Sequence, residues 1–221
     1  LHDDAVTVTG NKVNGIGDKY NPDVYLDWRL GETPETPYAQ VASILSPKGL
    51  WSADHRGDGT ASIAVVSNAP SAKKFRGRFP YGPPSPSAVA RLARCWDFRD
   101  PAQDPENEST WKFTKNPVVQ LAWHECFNQY GNLLDWRKTI LPVFDMWCEE
   151  ADVCDELVPI AAGGTERRYE CNGYSTTERD PKVFRNSIMA AMDGWTCERG
   201  DGALLVVAGK FREKYVATLT D

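Results

Sequence analysis

Two dipeptides constrain this chain most: Asn116-Pro117 and Asp180-Pro181. Each sets a helix start to the residue. An Asn or Asp side chain accepts hydrogen bonds from the unpaired backbone N–H groups of a first helical turn. A proline directly after it already holds a helical φ and lacks an N–H that would go unpaired there. Val118, Leu121, Ala122 and Glu125 follow the first pair at helical spacing, which predicts a helix ending near Tyr130-Gly131. Phe184, Ile188 and Ala191 follow the second, with Gly194 as the stop. A further helix is expected from Pro142, with Val143, Trp147, Ala151 and Cys154 on one stripe. These stripes place Trp147, Cys154, Phe184 and Ile188 in the core.

The first half has a different period. Residues 5–9 alternate, residues 23–30 put Val24, Leu26, Trp28 and Leu30 on one face, and residues 61–66 form a third strand candidate. Prolines make residues 80–86 irregular. Residues 88–98 fit a strand or a helix, and residues 169–174 a strand. Residues 195–198 and 203–208 flank Arg199-Gly200-Asp201-Gly202 as a hairpin. Residues 99–116 form a polar connection and the best boundary by composition. The fold class expected is α+β. It comprises a β-rich domain over 1–110 with an insertion-like region, then an α+β domain over 111–221 with about three helices and a β-hairpin.

The formal net charge of −6 argues against duplex DNA or an anionic membrane as main partner. The basic clusters at 73–78 and 91–99 are short and read as solvated faces. No run reaches the roughly 20 apolar residues of a membrane span. Leu1-His2-Asp3-Asp4 has no signal-peptide pattern, and residues 217–221 still alternate as if cut inside a strand. The chain is therefore expected to be a piece of a longer one. The six cysteines, Cys95, Cys126, Cys148, Cys154, Cys171 and Cys197, are scattered among apolar residues and read as free thiols.

No residue pattern carries recognisable chemistry. His124 and Cys126 are two apart and Cys148 and Cys154 six apart, neither the spacing of structural zinc. The histidines are His2, His55 and His124. Asp54-His55-Arg56 offers a carboxylate beside an imidazole, but sequence neighbours usually point apart, and a self-bonded polar loop accounts for it. Glu149, Glu150, Asp152, Asp155 and Glu156 read as the wet face of a helix opposite Trp147 and Cys154. Residues 161–165 are glycine-rich without the Lys-Ser/Thr of a phosphate loop. Arg199-Gly200-Asp201 is explained by a tight turn. Catalytic, cofactor-binding and metal residues: none expected. No cofactor is expected.

An ordered string of motifs carries more. Gly49-Leu50-Trp51-Ser52-Ala53-Asp54-His55-Arg56-Gly57-Asp58-Gly59-Thr60-Ala61 resembles the Trp-x-x-Asp-His-Arg-x-x-Gly-x-Ala segment of the tail tip attachment protein J family of lambda-like, long-tailed phages. Phe79-Pro80-Tyr81-Gly82-Pro83-Pro84 is similar to its Phe-Pro-x-Gly-x-Pro, and Arg91 to Arg99 to its basic strand ending in Tyr-Asp-Pro-Arg. Trp111 to Pro117 resembles its Trp-…-Asn-Pro helix start. Residues 151–158 and 163–173 resemble its Ala-x-x-Cys-Asp…Gly-Gly-x-Glu-x-Arg-Tyr-x-Cys-Asn core. The resemblance covers most of residues 20–215. Leu92 stands where the family has a turn glycine, and Phe98 where it has proline.

The resemblance implies a structural, non-enzymatic component of a phage or prophage tail tip. Residues 1–110 would be a hub or insertion domain and residues 111–221 a tail-hub domain. Such proteins form a trimeric hub that closes the tail tube and supports host attachment and DNA delivery. Partners implied are copies of itself, other phage tail proteins, and a host receptor met through parts outside this piece, with no membrane insertion. The piece alone is expected to be mostly monomeric. The location implied is the virion tail tip, after synthesis in the bacterial host cytoplasm. The alternatives are a tail-associated cell-wall hydrolase or a carbohydrate-binding module.

Overall fold

Asn116 and Asp180 cap helices in the computed structural model, which describes residues 7–9, 12–14, 24–67, 70–82, 91, 93–174, 176 and 178–212. Asn116 Oδ1 accepts from the N–H groups of Val118 and Val119, and Asp180 Oδ1 from that of Lys182. The fold is α+β, in two compact units of residues 1–89 and 90–221.

The first unit holds a four-stranded antiparallel sheet in chain order: β1 (Thr7–Thr9), β2 (Lys12–Asn14), β3 (Val24–Arg29) and β4 (Ser62–Ser67). Leu26 faces Val65 and Trp28 faces Ile63 across β3 and β4. The face of Val24, Leu26, Trp28 and Leu30 is covered only at its Val24 end; Trp28 and Leu30 are exposed. Two helices absent from the sequence reading, α1 (Ala39–Leu45) and α2 (Ala72–Arg78), join the sheet in this unit. Neither has a side-chain cap bond, so neither announces its start. The entry to α1 is fastened instead by Arg29, which lies over the Tyr38 ring at 4.6 Å and donates to the carbonyls of Thr36 and Pro37.

The second unit carries α3 (Pro117–Cys126), α4 (Trp136–Thr139), α5 (Phe144–Asp155) and α6 (Pro181–Ala191). Three small antiparallel pairs accompany them: β5 (Arg94–Cys95) with β6 (Lys112–Phe113), β7 (Leu157–Pro159) with β8 (Thr165–Arg167), and β9 (Trp195–Glu198) with β10 (Leu204–Val207). The core sits on α3, whose Val118, Val119, Leu121 and Ala122 are wholly buried. Trp147 of α5 is buried with them and donates its indole N–H to the Leu204 carbonyl, tying α5 to β10. An edge-to-face cluster of Trp96, Phe98, Trp111, Phe127 and Trp136 closes one side. Gly194 lets the hairpin pass α6 closely: a Cβ there would lie 2.6 Å from the Val207 carbonyl oxygen.

Several expectations change. The units divide at 89/90 rather than 110/111, because Arg94–Cys95 ladders with Lys112–Phe113 across the polar connection. Residues 169–174 form no strand: the Tyr169 N–H goes to the Cys154 carbonyl and that of Cys171 to Lys115, two different segments rather than one ladder. The strand pair lies earlier, with residues 160–164 as its turn. Helix α3 stops at Cys126, before Tyr130-Gly131, because Phe127 leaves helical geometry and the chain turns back at Gly131. Trp147, Cys154 and Ile188 are buried as expected, but Phe184 is half-buried, its ring edge-on to His124. Glu150 is not on the wet face. It is buried and accepts from the Ala208 N–H and from Arg212.

Candidate functional site

The second unit carries a charged cleft of about 570 Å³. Its walls come from the start of α3, the end of α5, the β5–β6 pair and β8. Arg91, Arg99, Lys112, Lys115 and Arg167 line it, together with Asp97, Asp100, Asp155 and Glu170. Local structure explains the placement. Asn116 must sit at the mouth of α3 to cap it, and its side-chain NH2 donates to the Ala151 carbonyl at 2.8 Å and to Asp155 Oδ2 at 2.9 Å. That pins the last turn of α5 against the first turn of α3.

Arg99 organises the cleft. Its guanidinium donates to both oxygens of Asp97, to Asp152 Oδ1 at 2.8 Å and to Asp155 Oδ2 at 2.9 Å. Burial disfavours the cation, but Asp97, Asp152 and Asp155 outweigh it and hold its pKa above the ordinary arginine value. Arg167 completes the group with an ion pair to Asp155 Oδ1 at 3.1 Å. Lys112 meets Asp100 at 2.7 Å and Lys115 meets Glu170 at 2.9 Å. The Lys112 ammonium, the Ala102 N–H and Gln103 lower the Asp100 pKa to about 2. Every carboxylate lining the cleft is thus paired. Among the described residues, Arg91 alone of the five cations meets no carboxylate; it lies 5.6 Å over the Phe113 ring. Internally neutralised charge of this kind binds the fold together.

The residues singled out from sequence are dispersed. His55 stacks on Trp51 at 4.8 Å, and its Nδ1 accepts from the Ser52 N–H at 3.0 Å, with Ser52 Oγ also at 3.0 Å. Asp54 gives its backbone N–H to Ser52 Oγ, not its carboxylate to the ring, so no acid–imidazole pair forms. Asp58 instead pairs with Arg56 and accepts from the Glu35 N–H. Arg199 and Asp201 bond each other through two contacts of 2.8 and 2.6 Å, which occupies the charges of the Arg-Gly-Asp tripeptide. His2 lies outside the described residues.

All six cysteines are free, with Cys95, Cys126 and Cys154 buried. Burial, before neighbouring carboxylates, pushes these three thiols up to about 12. Among the described residues no three His, Cys, Asp or Glu side chains are grouped to hold a metal ion, and no helix is long and apolar enough to cross a membrane. The cleft escaped sequence reading because its pairs join residues such as 99 with 155 and 115 with 170, separations at which no spacing motif exists. Comparison with protein-family models, with curated proteins and with solved structures gives no match to this chain.

Proposed function

We propose that the chain is a structural part of a phage or prophage tail tip, a hub element that helps close the tail tube and supports host attachment and DNA delivery. One observation carries the reading. Three segments by which the sequence resembles the tail tip attachment family meet at one carboxylate, Asp155. Arg99 ends the basic segment, Asn116 belongs to the Trp-…-Asn-Pro segment, and Arg167 to the Gly-Gly-x-Glu-x-Arg-Tyr segment. Trp111 and Cys154, from the same segments, are buried. Motif residues that hold one another are what a shared scaffold requires. Although Arg99, Asp155 and Arg167 line the cleft, their charged groups are engaged with one another, which supports a scaffold reading.

In this reading the partners are further copies of the protein, in a trimer, and neighbouring tail proteins; receptor contact belongs to parts outside these residues. The test is antibody labelling of particles induced from the parent genome. Label at the distal end of the tail is expected. Label on the capsid, or particles free of the chain with intact infectivity, refutes the proposal. Clearing of a cell-wall zymogram by the purified chain would favour a tail-associated hydrolase.

A further inference from the structure

We infer that His124 is an acid-sensitive latch: a proton on its Nδ1 releases the loop of residues 128–134, which carries Tyr130, Leu133 and Leu134 on the surface. The inference rests on hydrogen-bond geometry and is independent of the tail-tip reading. His124 lies in the last turn of α3 and is only 1% exposed. Its Nε2 is 3.0 Å from the Pro181 carbonyl in the first turn of α6, and its Nδ1 is 3.2 Å from the Asn128 side-chain NH2.

These neighbours fix the tautomer. A carbonyl can only accept, so Nε2 carries the hydrogen. Asn128 Oδ1 accepts from the Tyr130 N–H at 3.1 Å, which assigns the other end of the amide as NH2 and makes it the donor toward Nδ1. The ring is therefore neutral, with a bare Nδ1. A second proton would set an N–H against the Asn128 NH2. Rotating that amide would cure the clash but set its NH2 against the Tyr130 N–H. No rearrangement of the side chain alone satisfies all three groups.

The loop depends on this contact because it is drawn tightly onto the helix. The Gly131 N–H donates to the Asn128 carbonyl, and a Cβ on Gly131 would lie 1.9 Å from the His124 carbonyl oxygen. Leu133 sits at φ +49°, a left-handed conformation that costs a branched side chain energy and persists only under restraint. Tyr130, Leu133 and Leu134 are all exposed. Among the described residues the loop is also tied to α3 by the Asn128 N–H to the Trp123 carbonyl at 2.9 Å, by Asn132 to Glu125 Oε2 at 2.7 Å and by the Leu134 N–H to the Glu125 carbonyl.

Two charged groups act on the ring: Glu125 on its own helix and Arg185 on α6, which pair with each other at 3.1 Å. Phe184 packs its ring at right angles to the imidazole at 5.0 Å and brings no charge. Burial pulls the imidazole below its ordinary value, against the Pro181 carbonyl and Glu125, while Arg185 adds to the fall. The folded state therefore binds this proton later than an open state does. The latch is fully closed above about 6.5, the ordinary imidazole value, and weakens as pH falls from there toward the depressed folded value.

Amide exchange of the intact chain followed by NMR tests this. Protection factors of Tyr130, Gly131 and Leu134 should fall about tenfold per pH unit below about 6.5, while those of Val119 and Ala151 hold steady. Asn128→Asp supplies an acceptor to a protonated Nδ1 and still accepts from the Tyr130 N–H. That variant should raise the His124 titration above the ordinary value and keep the loop protected to pH 5. On the unsubstituted chain at pH 7.5, imidazole nitrogen shifts should show Nε2 protonated and Nδ1 bare. Loop protection that is unchanged from pH 7.5 to 5, the same acid loss in Asn128→Asp, or a proton on Nδ1 at pH 7.5 would each overturn the inference.

Discussion

Replacing Asn116 tests the central junction of the second unit. Its side chain has two duties: Oδ1 caps α3 through Val118 and Val119, while the NH2 bonds Ala151 and Asp155. Asn116→Ala removes both. The cap contributes about 1 kcal/mol. The neutral bond to Ala151 adds about 1 kcal/mol and the bond to the charged Asp155 at least about 1.5 kcal/mol. The expected loss is therefore at least about 3.5 kcal/mol. Asn116→Asp separates the duties. It keeps the cap acceptor but sets a carboxylate against Asp155 Oδ2 and the Ala151 carbonyl. At pH 7 it should cost at least as much as Asn116→Ala despite the retained cap, and it should recover as acid protonates the pair. Urea unfolding followed by tryptophan fluorescence is a suitable assay, because Trp96, Trp111 and Trp147 are buried in this unit. A loss below about 1 kcal/mol for Asn116→Ala, or an Asn116→Asp protein more stable than it at pH 7, refutes the account of the junction.

Arg99→Met should cost about 2–3 kcal/mol at pH 7, since it leaves Asp97, Asp152 and Asp155 gathered without their cation; urea unfolding should show that penalty shrinking toward pH 4. Phe184→Ala should cost roughly 1–2 kcal/mol, about half the penalty of a wholly buried ring, by the same assay. Ellman titration of the native chain should modify exposed Cys197 quickly, and reach Cys95, Cys126 and Cys154 only in denaturant. NMR titration should find Asp100 ionised down to about 2 and raised by Lys112→Met toward, but not to, the ordinary range, since the Ala102 N–H and Gln103 still lower it. Because its folded pKa is depressed, Asp100 supports the fold above the ordinary carboxylate value of about 3.9 and ceases to as pH falls through about 2.

What the sequence revealed and what it hid follow the range of the forces involved. The starts of α3 and α6 were legible because a cap and a proline act within three residues. The β9–β10 hairpin was legible for the same reason, its turn residues adjoining two short apolar runs. Helix α1 was not, because Tyr38 supplies no cap bond and the entry is held by Arg29 from another strand. Glu150 was misplaced because helical spacing alone puts acids outside. Its partners, the Ala208 N–H and Arg212, lie some sixty residues away and become neighbours only after folding.

The same limit applied to the cleft, and it bears on how the motifs should be weighed. Arg99, Asn116, Asp155 and Arg167 each look unremarkable in their own segments, as a charge after an apolar run, a cap, the acid end of a helix and a strand cation. Only the fold brings them onto one carboxylate. Removing Arg99 leaves Asp97, Asp152 and part of Asp155 without their cation in a partly buried place, so substitution there costs more than loss of an exposed pair would. The packing of α3 against the end of α5 would then account for these residues standing together. The Arg99→Met and Asn116→Asp proteins probe that step together. If their penalties add as though the two residues were independent, Asp155 is not the shared centre and the motifs need another cause.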